Sequence, residues 1–198
     1  MSTSTKTRRS QAERRAESRQ AVLDAAIDLF GERGYAATSL EDIAERCGLT
    51  IRPIYHYFGN KKALFAAANE VMEQRIIDSI ADNADLSHES SLVENYRAFL
   101  DLCDDPAFRR IVLVDSPNVL GRERWADGRV MRKAMGSTGS LKNRKHESFR
   151  KTLMNRVMMA ALAEVSLAVA EADDLELAKR EAEGALTALL SVLVPQRS

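Results

Sequence analysis

Thr38-Ser39-Leu40-Glu41-Asp42-Ile43-Ala44-Glu45-Arg46-Cys47-Gly48-Leu49-Thr50-Ile51-Arg52-Pro53-Ile54-Tyr55-His56-Tyr57-Phe58 reads as two short helices joined by a tight turn. Thr38 and Glu41 have the spacing of a capping box, in which a hydroxyl and a carboxylate satisfy each other's end of the helix. Leu40, Ile43, Ala44 and Cys47 then recur at helical spacing. Gly48 supplies the backbone freedom a turn needs, and Leu49 plugs the angle between the two helices. Thr50 takes the N-cap position of the second helix, with Arg52 and Pro53 at its second and third positions. Proline there loses no intrahelical bond, because first-turn amides have no partner inside the helix. Ile54, Tyr57 and Phe58 are its apolar positions.

Helix, glycine-containing turn, helix is the signature of a helix-turn-helix. Its second helix is short and carries polar tips, which suits insertion into a major groove. Arg52 sits where a guanidinium reaches a guanine edge through two hydrogen bonds. Tyr55, His56 and Tyr57 cannot all face inward, so some of them present polar tips to phosphates. Lys61 and Lys62 open the next helix, where backbone amides and ammonium groups attract the same anions.

Outward from this core, a first helix is predicted from about Arg19 to Arg33, with Val22, Leu23, Ala26, Ile27, Leu29 and Phe30 on one wide apolar face. Gly34 is placed to stop it in the left-handed conformation. Asn60 is placed to cap a long helix from Lys61 into the low eighties, with the stripe Leu64, Phe65, Ala68, Val71, Met72, Ile76 and Ile80. Ser91-x-x-Glu94 reads as a further capping box. Asp105-Pro106 and Ser116-Pro117 each place a cap residue before proline. Two strong late helices are predicted at roughly 148–171 and 174–193, the second opened by Asp173-x-x-Glu176. Ile111-Val112-Leu113-Val114 is a strand-like run, but its neighbours read as helix. The fold class is therefore all-α.

The blocks Ala25-Ala26-x-x-Leu29-Phe30-x-x-x-Gly34-Tyr35, Thr38 to Ala44, Gly48-Leu49-Thr50 and Ile54-Tyr55-His56-Tyr57-Phe58-x-x-Lys61-x-x-Leu64-Phe65 resemble the N-terminal domain of the TetR family of transcriptional regulators. The resemblance runs over about residues 19–68. Ahead of it, residues 1–18 read as a flexible basic arm that turns helical near its end. The resemblance implies a helix-turn-helix DNA-binding domain at 19–62 and a helical ligand-binding and dimerisation domain at 63–198. It further implies a homodimer whose recognition helices read successive major grooves of a palindromic operator in double-stranded DNA. By motif position, Thr38, Thr50, Tyr55, His56, Tyr57 and Lys61 match places that contact DNA. Ile51, Arg52 and Pro53 fall at base-reading places. Ile51 departs from the polar or basic residue common there, and suits a thymine methyl instead.

Composition agrees with this class. The chain has 198 residues, 45% hydrophobic, with 9 glycines and 4 prolines. Cys47 and Cys103 show no metal-ligand spacing, and no cofactor is expected. The net charge is zero, yet residues 1–62 carry +3 and the remainder −3. A basic N-terminal segment ahead of a folded module is a common nucleic-acid footprint. Residues 122–151 carry ten Lys and Arg against three Asp and Glu, interrupted by Gly136 to Ser140, and read as a helix, a solvated loop and the start of the next helix, with a second nucleic-acid surface as the alternative. The first twenty residues lack an apolar signal region and no apolar run approaches a membrane span, so a cytoplasmic location is expected.

The sensor half is read from the resemblance and from amphipathic patterning. A mostly apolar cavity is expected between the fourth and eighth helices, with Met72, Tyr96, Phe99, Cys103, Trp125 and Met158 as candidate lining. The last two helices are the candidate dimer seam, through Met154, Met158, Ala161, Leu162, Val165 and Val169 on one and Ala178, Ala182, Ala185, Leu186, Leu189 and Leu193 on the other. The function expected is a repressor released from its operator by a small, mostly apolar molecule. An activator or architectural DNA-binding protein without an effector is the alternative. A helical enzyme is remote, because no nucleophile, base and orienting group come together in the sequence.

Overall fold

The computed structural model describes residues 10–79, 89–121 and 149–193, and every regular element among them is helical. α1 spans Gln11–Arg33, eight residues longer at its start than the apolar pattern predicts. Ser10 and Glu13 form a full capping box there, Ser10 Oγ accepting from Glu13 N at 3.1 Å and Glu13 Oε2 from Ser10 N at 2.6 Å. Residues 11–18 therefore belong to α1 rather than to a flexible arm. Residues 1–9 lie outside the described residues.

α2 (Leu40–Arg46), α3 (Ile51–Phe58) and α4 (Lys61–Ser79) follow. α1 ends at Gly34, whose φ of 80° is positive as expected but whose ψ of 169° lies far from the left-handed helical region. Only glycine holds that conformation comfortably. α4 packs along α1 and then continues against the C-terminal half, so it belongs to both halves of the molecule.

The second half begins with α5 (Glu89–Leu102), which starts two residues ahead of Ser91. Asp105 caps α6 (Pro106–Phe108) as expected, accepting from Ala107 N at 2.8 Å. The chain then runs without a break through a π-helical stretch, π1 (Arg109–Asp115), into α7 (Ser116–Val119). Ser116 does not open a new helix. It is buried inside this continuous run. Pro117 has no N–H, and its ring crowds the carbonyl four residues back. The helix is locally widened just ahead of it, a π stretch of the kind found as short insertions inside α-helices. The strand-like run Ile111 to Val114 forms the body of π1, with Ile111, Val112 and Leu113 buried. Residues 122–148, most of the basic region, lie outside the described residues.

α8 (Phe149–Glu171) and α9 (Leu175–Leu193) pack against each other. Asp174, one residue beyond the expected Asp173, caps α9 by accepting from Leu177 N at 2.9 Å. Val169, Ala182 and Leu186 are buried in the subunit's own core. They were expected at the dimer seam and close the monomer instead. Of the other expected seam residues Ala185 is exposed, and among the described residues of these two helices the large apolar side chains left outward are Leu153 and Val157 on α8 and Leu177 on α9. One contiguous core joins the halves, running from Val22 and Phe30 through Phe65 and Met72 to Phe108, Val169 and Leu186.

Candidate nucleic-acid interface

The turn between α2 and α3 closes by two backbone bonds. Gly48 N donates to Glu45 O at 3.1 Å and Leu49 N donates to Ala44 O at 2.9 Å. With Cys47 as the C-cap and Gly48 at φ 68°, this is a Schellman motif. A Cβ on Gly48 would meet nothing within 4 Å, so the requirement is the positive φ and not space. Leu49 packs against the core, as the sequence suggests. The turn thus fixes the direction in which α3 leaves the module.

α3 buries only Ile54 completely. Phe58 and Tyr57 are half-buried, and the Arg19 guanidinium lies 4.9 Å from the Phe58 ring centroid, tying α1 to the end of α3. Ile51 and Pro53 are half-buried, Ile51 with one side against the core. Arg52, Tyr55 and His56 are exposed. Their spacing puts them on one helix face. Tyr55 is the most exposed large apolar side chain among the described residues, at 52%.

Thr50 is the N-cap of α3, as expected, but its hydroxyl makes no capping hydrogen bond. The reason lies three residues on. An N-cap oxygen accepts from the second or third helical amide; Pro53 at the third position has none, and the remaining candidate, Arg52 N, does not bond the hydroxyl. The exposed Thr50 hydroxyl is left available to an outside partner.

Lys61 begins α4, which Asn60 caps by accepting from Ala63 N at 2.8 Å. The Lys61 ammonium lies 4.4 Å from the Tyr35 ring centroid. That contact holds the side chain at the rim of the helix-turn-helix. Lys62 beside it is exposed.

Thr38 does not join this surface. It is 1% exposed, and its hydroxyl donates towards Gly34 O at 2.9 Å and Leu29 O at 3.1 Å. The hydroxyl is engaged with carbonyls at the end of α1. Capping of α2 passes to Ser39, whose Oγ accepts from Asp42 N at 3.0 Å while Asp42 Oδ2 accepts from Ser39 N at 2.8 Å. The expected Thr38/Glu41 box is thus displaced by one residue. These two bonds hold the Asp42 carboxyl below the usual carboxylate range. Thr38→Val is expected to cost about 1–2 kcal/mol of stability in urea denaturation, through carbonyls left without a donor. The salt dependence of DNA binding should stay as it was. A lowered salt slope would instead put Thr38 at a phosphate.

Residues 22–68 match the family model for the N-terminal domain of bacterial regulatory proteins of the tetR family, and residues 90–193 match that for the tetracyclin repressor-like C-terminal domain. The chain belongs to the TetR family of transcriptional regulators. The HTH-type transcriptional regulator AcrR of Shigella flexneri is 42% identical over 60 residues, which is 30% of this chain and 28% of that protein. The HTH-type transcriptional repressor ComR of Escherichia coli is 38% identical over 74 residues, 37% of this chain and 31% of that one. These matches thus span about a third or less of the relatives' own lengths. A TetR-family regulator from Pectobacterium atrosepticum is similar along its full length, with a TM-score of 0.67, 29% identity, and coverage of 96% of this chain and 100% of that one. TetR-family regulators bind DNA and usually form dimers. No helix among the described residues is long and apolar enough to cross a membrane.

Of the residues expected to line an effector site in this TetR-family chain, Met72, Tyr96, Phe99 and Cys103 are all buried in the common core. The Tyr96 and Phe99 rings stack with centroids 5.9 Å apart, and Phe99 meets Phe108 edge-on at 6.0 Å. Burial raises the Tyr96 pKa, against a smaller lowering by the Ser166 side chain, and no well-formed hydrogen bond reaches the phenol. Burial likewise pushes the Cys103 thiol up to about 11. A group held so far towards the neutral thiol is a poor nucleophile. Trp125 and the Met158 side chain lie outside what the structure describes. One expected member of the α4 stripe is misplaced: Val71 is 39% exposed, while Asn69 and Glu73 are buried.

Proposed function

We propose that this TetR-family regulator is a dimeric repressor that leaves its operator when a small molecule binds the C-terminal half. On this reading α1 to α3 and the first turn of α4 form the DNA reader, and the helices from mid-α4 onward form the sensor. The observation that carries the reading is the exposed face of α3. Arg52, Tyr55 and His56 stand outward there with the uncapped hydroxyl of Thr50, on a helix whose opposite side is anchored by Ile54, Ile51 and Phe58. Arg52 is assigned to a base edge, and Thr50, Tyr55, His56, Tyr57 and Lys61 to phosphates. Ile51 and Pro53 would add apolar contacts. Two such helices across a two-fold axis would meet a palindrome in successive major grooves.

α4 supports the coupling. It carries Lys61 at the reader and packs on α5, π1 and α7 in the sensor. A ligand that favours one tilt of α4 changes the separation of the two reading helices. To empty an occupied operator, its affinities for the two conformers must differ by about 5 kcal/mol.

The test begins with selection of bound duplexes from a random library, then fluorescence anisotropy on the selected site. A palindromic site bound by two protomers supports the reading, and equal binding to scrambled duplex counts against it. Lys61→Ala should weaken binding to every sequence alike and lower the magnitude of the salt slope by about 1. Arg52→Ala should cost about 1–3 kcal/mol on the selected site and relax preference at one base pair. If both variants weaken all duplexes equally, Arg52 holds a phosphate and base reading lies elsewhere on α3.

A further inference from the structure

α4 carries a carboxylate inside the protein. Glu73 is 8% exposed, and its neighbour one turn back, Asn69, is fully buried. Asn69 Nδ2 donates to Glu73 Oε1 at 2.6 Å. That neutral amide is the only partner the carboxylate has among the described residues. Arg75, the nearest cation along α4, is turned away: its guanidinium meets Asp105 Oδ2 at 2.5 Å and lies 5.7 Å from the Phe108 ring centroid. Asn69 Oδ1, the other end of the amide, is buried with no partner at all.

Buried charges in proteins are normally paired with an opposite charge, and buried carbonyl oxygens normally accept a hydrogen bond. Here two acceptors, one of them charged, stand side by side on one helix and neither condition is met. Their common need is a cation that also donates N–H bonds. Met72 lies between them in sequence and is buried, so apolar surface adjoins the pair. Ser116 Oγ is one more buried hydroxyl without a partner, on α7, which α4 touches.

Resting on the reading of the C-terminal half as an effector sensor, we infer that the effector is a protonated primary or secondary amine on an apolar body, its ammonium held by the Glu73 carboxylate and the Asn69 carbonyl. A primary ammonium has three N–H donors, enough for both acceptors. An alcohol brings one donor and no charge. A carboxylate is repelled. A quaternary ammonium brings charge and no donor. The site is also well placed to act. Glu73 lies twelve residues along α4 from Lys61, about 18 Å at helical rise, so a ligand there grips the same rod that reaches the DNA.

The experiment is calorimetric titration of the full chain with 4-phenylbutylamine, 4-phenylbutanol, 4-phenylbutanoate and 4-phenylbutyltrimethylammonium. The amine should bind about tenfold or more tightly than each of the others. Glu73→Gln should remove that advantage while leaving the alcohol's affinity unchanged, and should raise the melting temperature of the unliganded protein. Asn69→Leu, as a second variant, should weaken the amine alone. Circular dichroism verifies that each variant is folded. An amine that binds no better than the alcohol, including no binding by any of the four, overturns the inference. So does an amine preference that survives both substitutions. Repeating the titration on operator-bound protein separates the two proposals: Glu73-dependent amine binding that leaves DNA affinity unchanged upholds the amine site and sinks ligand release.

Discussion

Phe65→Ala is expected to lower the unfolding free energy by about 3–5 kcal/mol, measured by equilibrium urea denaturation. Phe65 is fully buried on α4, one turn beyond Lys61. Its ring meets Phe30 of α1 edge-on at 5.1 Å and Tyr35 edge-on at 5.1 Å. Phe30 and Tyr35 also contact each other at 5.9 Å, and the Lys61 ammonium lies over the Tyr35 ring. The three rings fix the angle between the first helix of the reader and the helix that leads to the sensor. Truncation removes the central ring and leaves a cavity that two helices would have to close. Domains are stable by only about 5–15 kcal/mol, so this one change uses a large share. Phe65→Leu, which keeps much of the volume, should lose under about 1.5 kcal/mol. The alanine variant should also bind DNA less tightly below its melting point, because the start of α4 is no longer held. A loss below about 1 kcal/mol would mean that the rings repack freely and that the cluster does not set the angle.

The reader was legible because its determinants are local. The Schellman turn at Gly48, the N-cap position of Thr50 and the Asn60 cap each depend on residues within one turn of helix. Where neighbouring residues fit a pattern equally well, the sequence left a one-residue ambiguity. Thr38 and Ser39 both suit a cap, as do Asp173 and Asp174. Tertiary contacts decide the first case, since the Thr38 hydroxyl is drawn to the end of α1. The early start of α1 was present in Ser10-x-x-Glu13, but residues 11–18 offer little apolar periodicity to mark them as helix. The sensor was less legible for a different reason. An apolar-stripe reading assumes that polar residues on a helix face water, and α4 violates that assumption. Turning the helix enough to bury Asn69 and Glu73 exposes Val71. Local rules commonly fail at functional sites, and a pattern of types alone cannot locate such a failure. π1 was hidden similarly, because β-branched residues suit several conformations.

Gly184→Trp should turn a dimer into a monomer and weaken operator binding by about 10²-fold or more, since a second half-site reached through a tethered partner adds avidity of that order. Gly184 sits mid-way along α9, where glycine costs about 1 kcal/mol against alanine. Nothing inside the subunit requires it: a Cβ there would meet no atom within 4 Å, and its backbone is helical. It lines a shallow outward groove with Arg180, Glu183, Thr187 and Ala188. On the same helix Leu177 is 45% exposed, and on α8 Leu153 and Val157 are each 47% exposed, one turn apart. Small residues beside stranded apolar side chains suit close approach of another helix, and a second copy of α8 and α9 supplies one by two-fold symmetry. Gly184 is exposed and its Cβ direction is open, so a large side chain there is directed at a partner rather than into the subunit. Sedimentation velocity would report the state of assembly, anisotropy the affinity, and circular dichroism the fold. Gly184→Ala serves as control, raising the stability of the folded subunit by up to about 1 kcal/mol if the glycine has no local role. If the tryptophan variant still sediments as a dimer and binds its operator undiminished, the seam lies on another face, and the exposed side chains of α8 and α9 must be explained without a second copy of the chain.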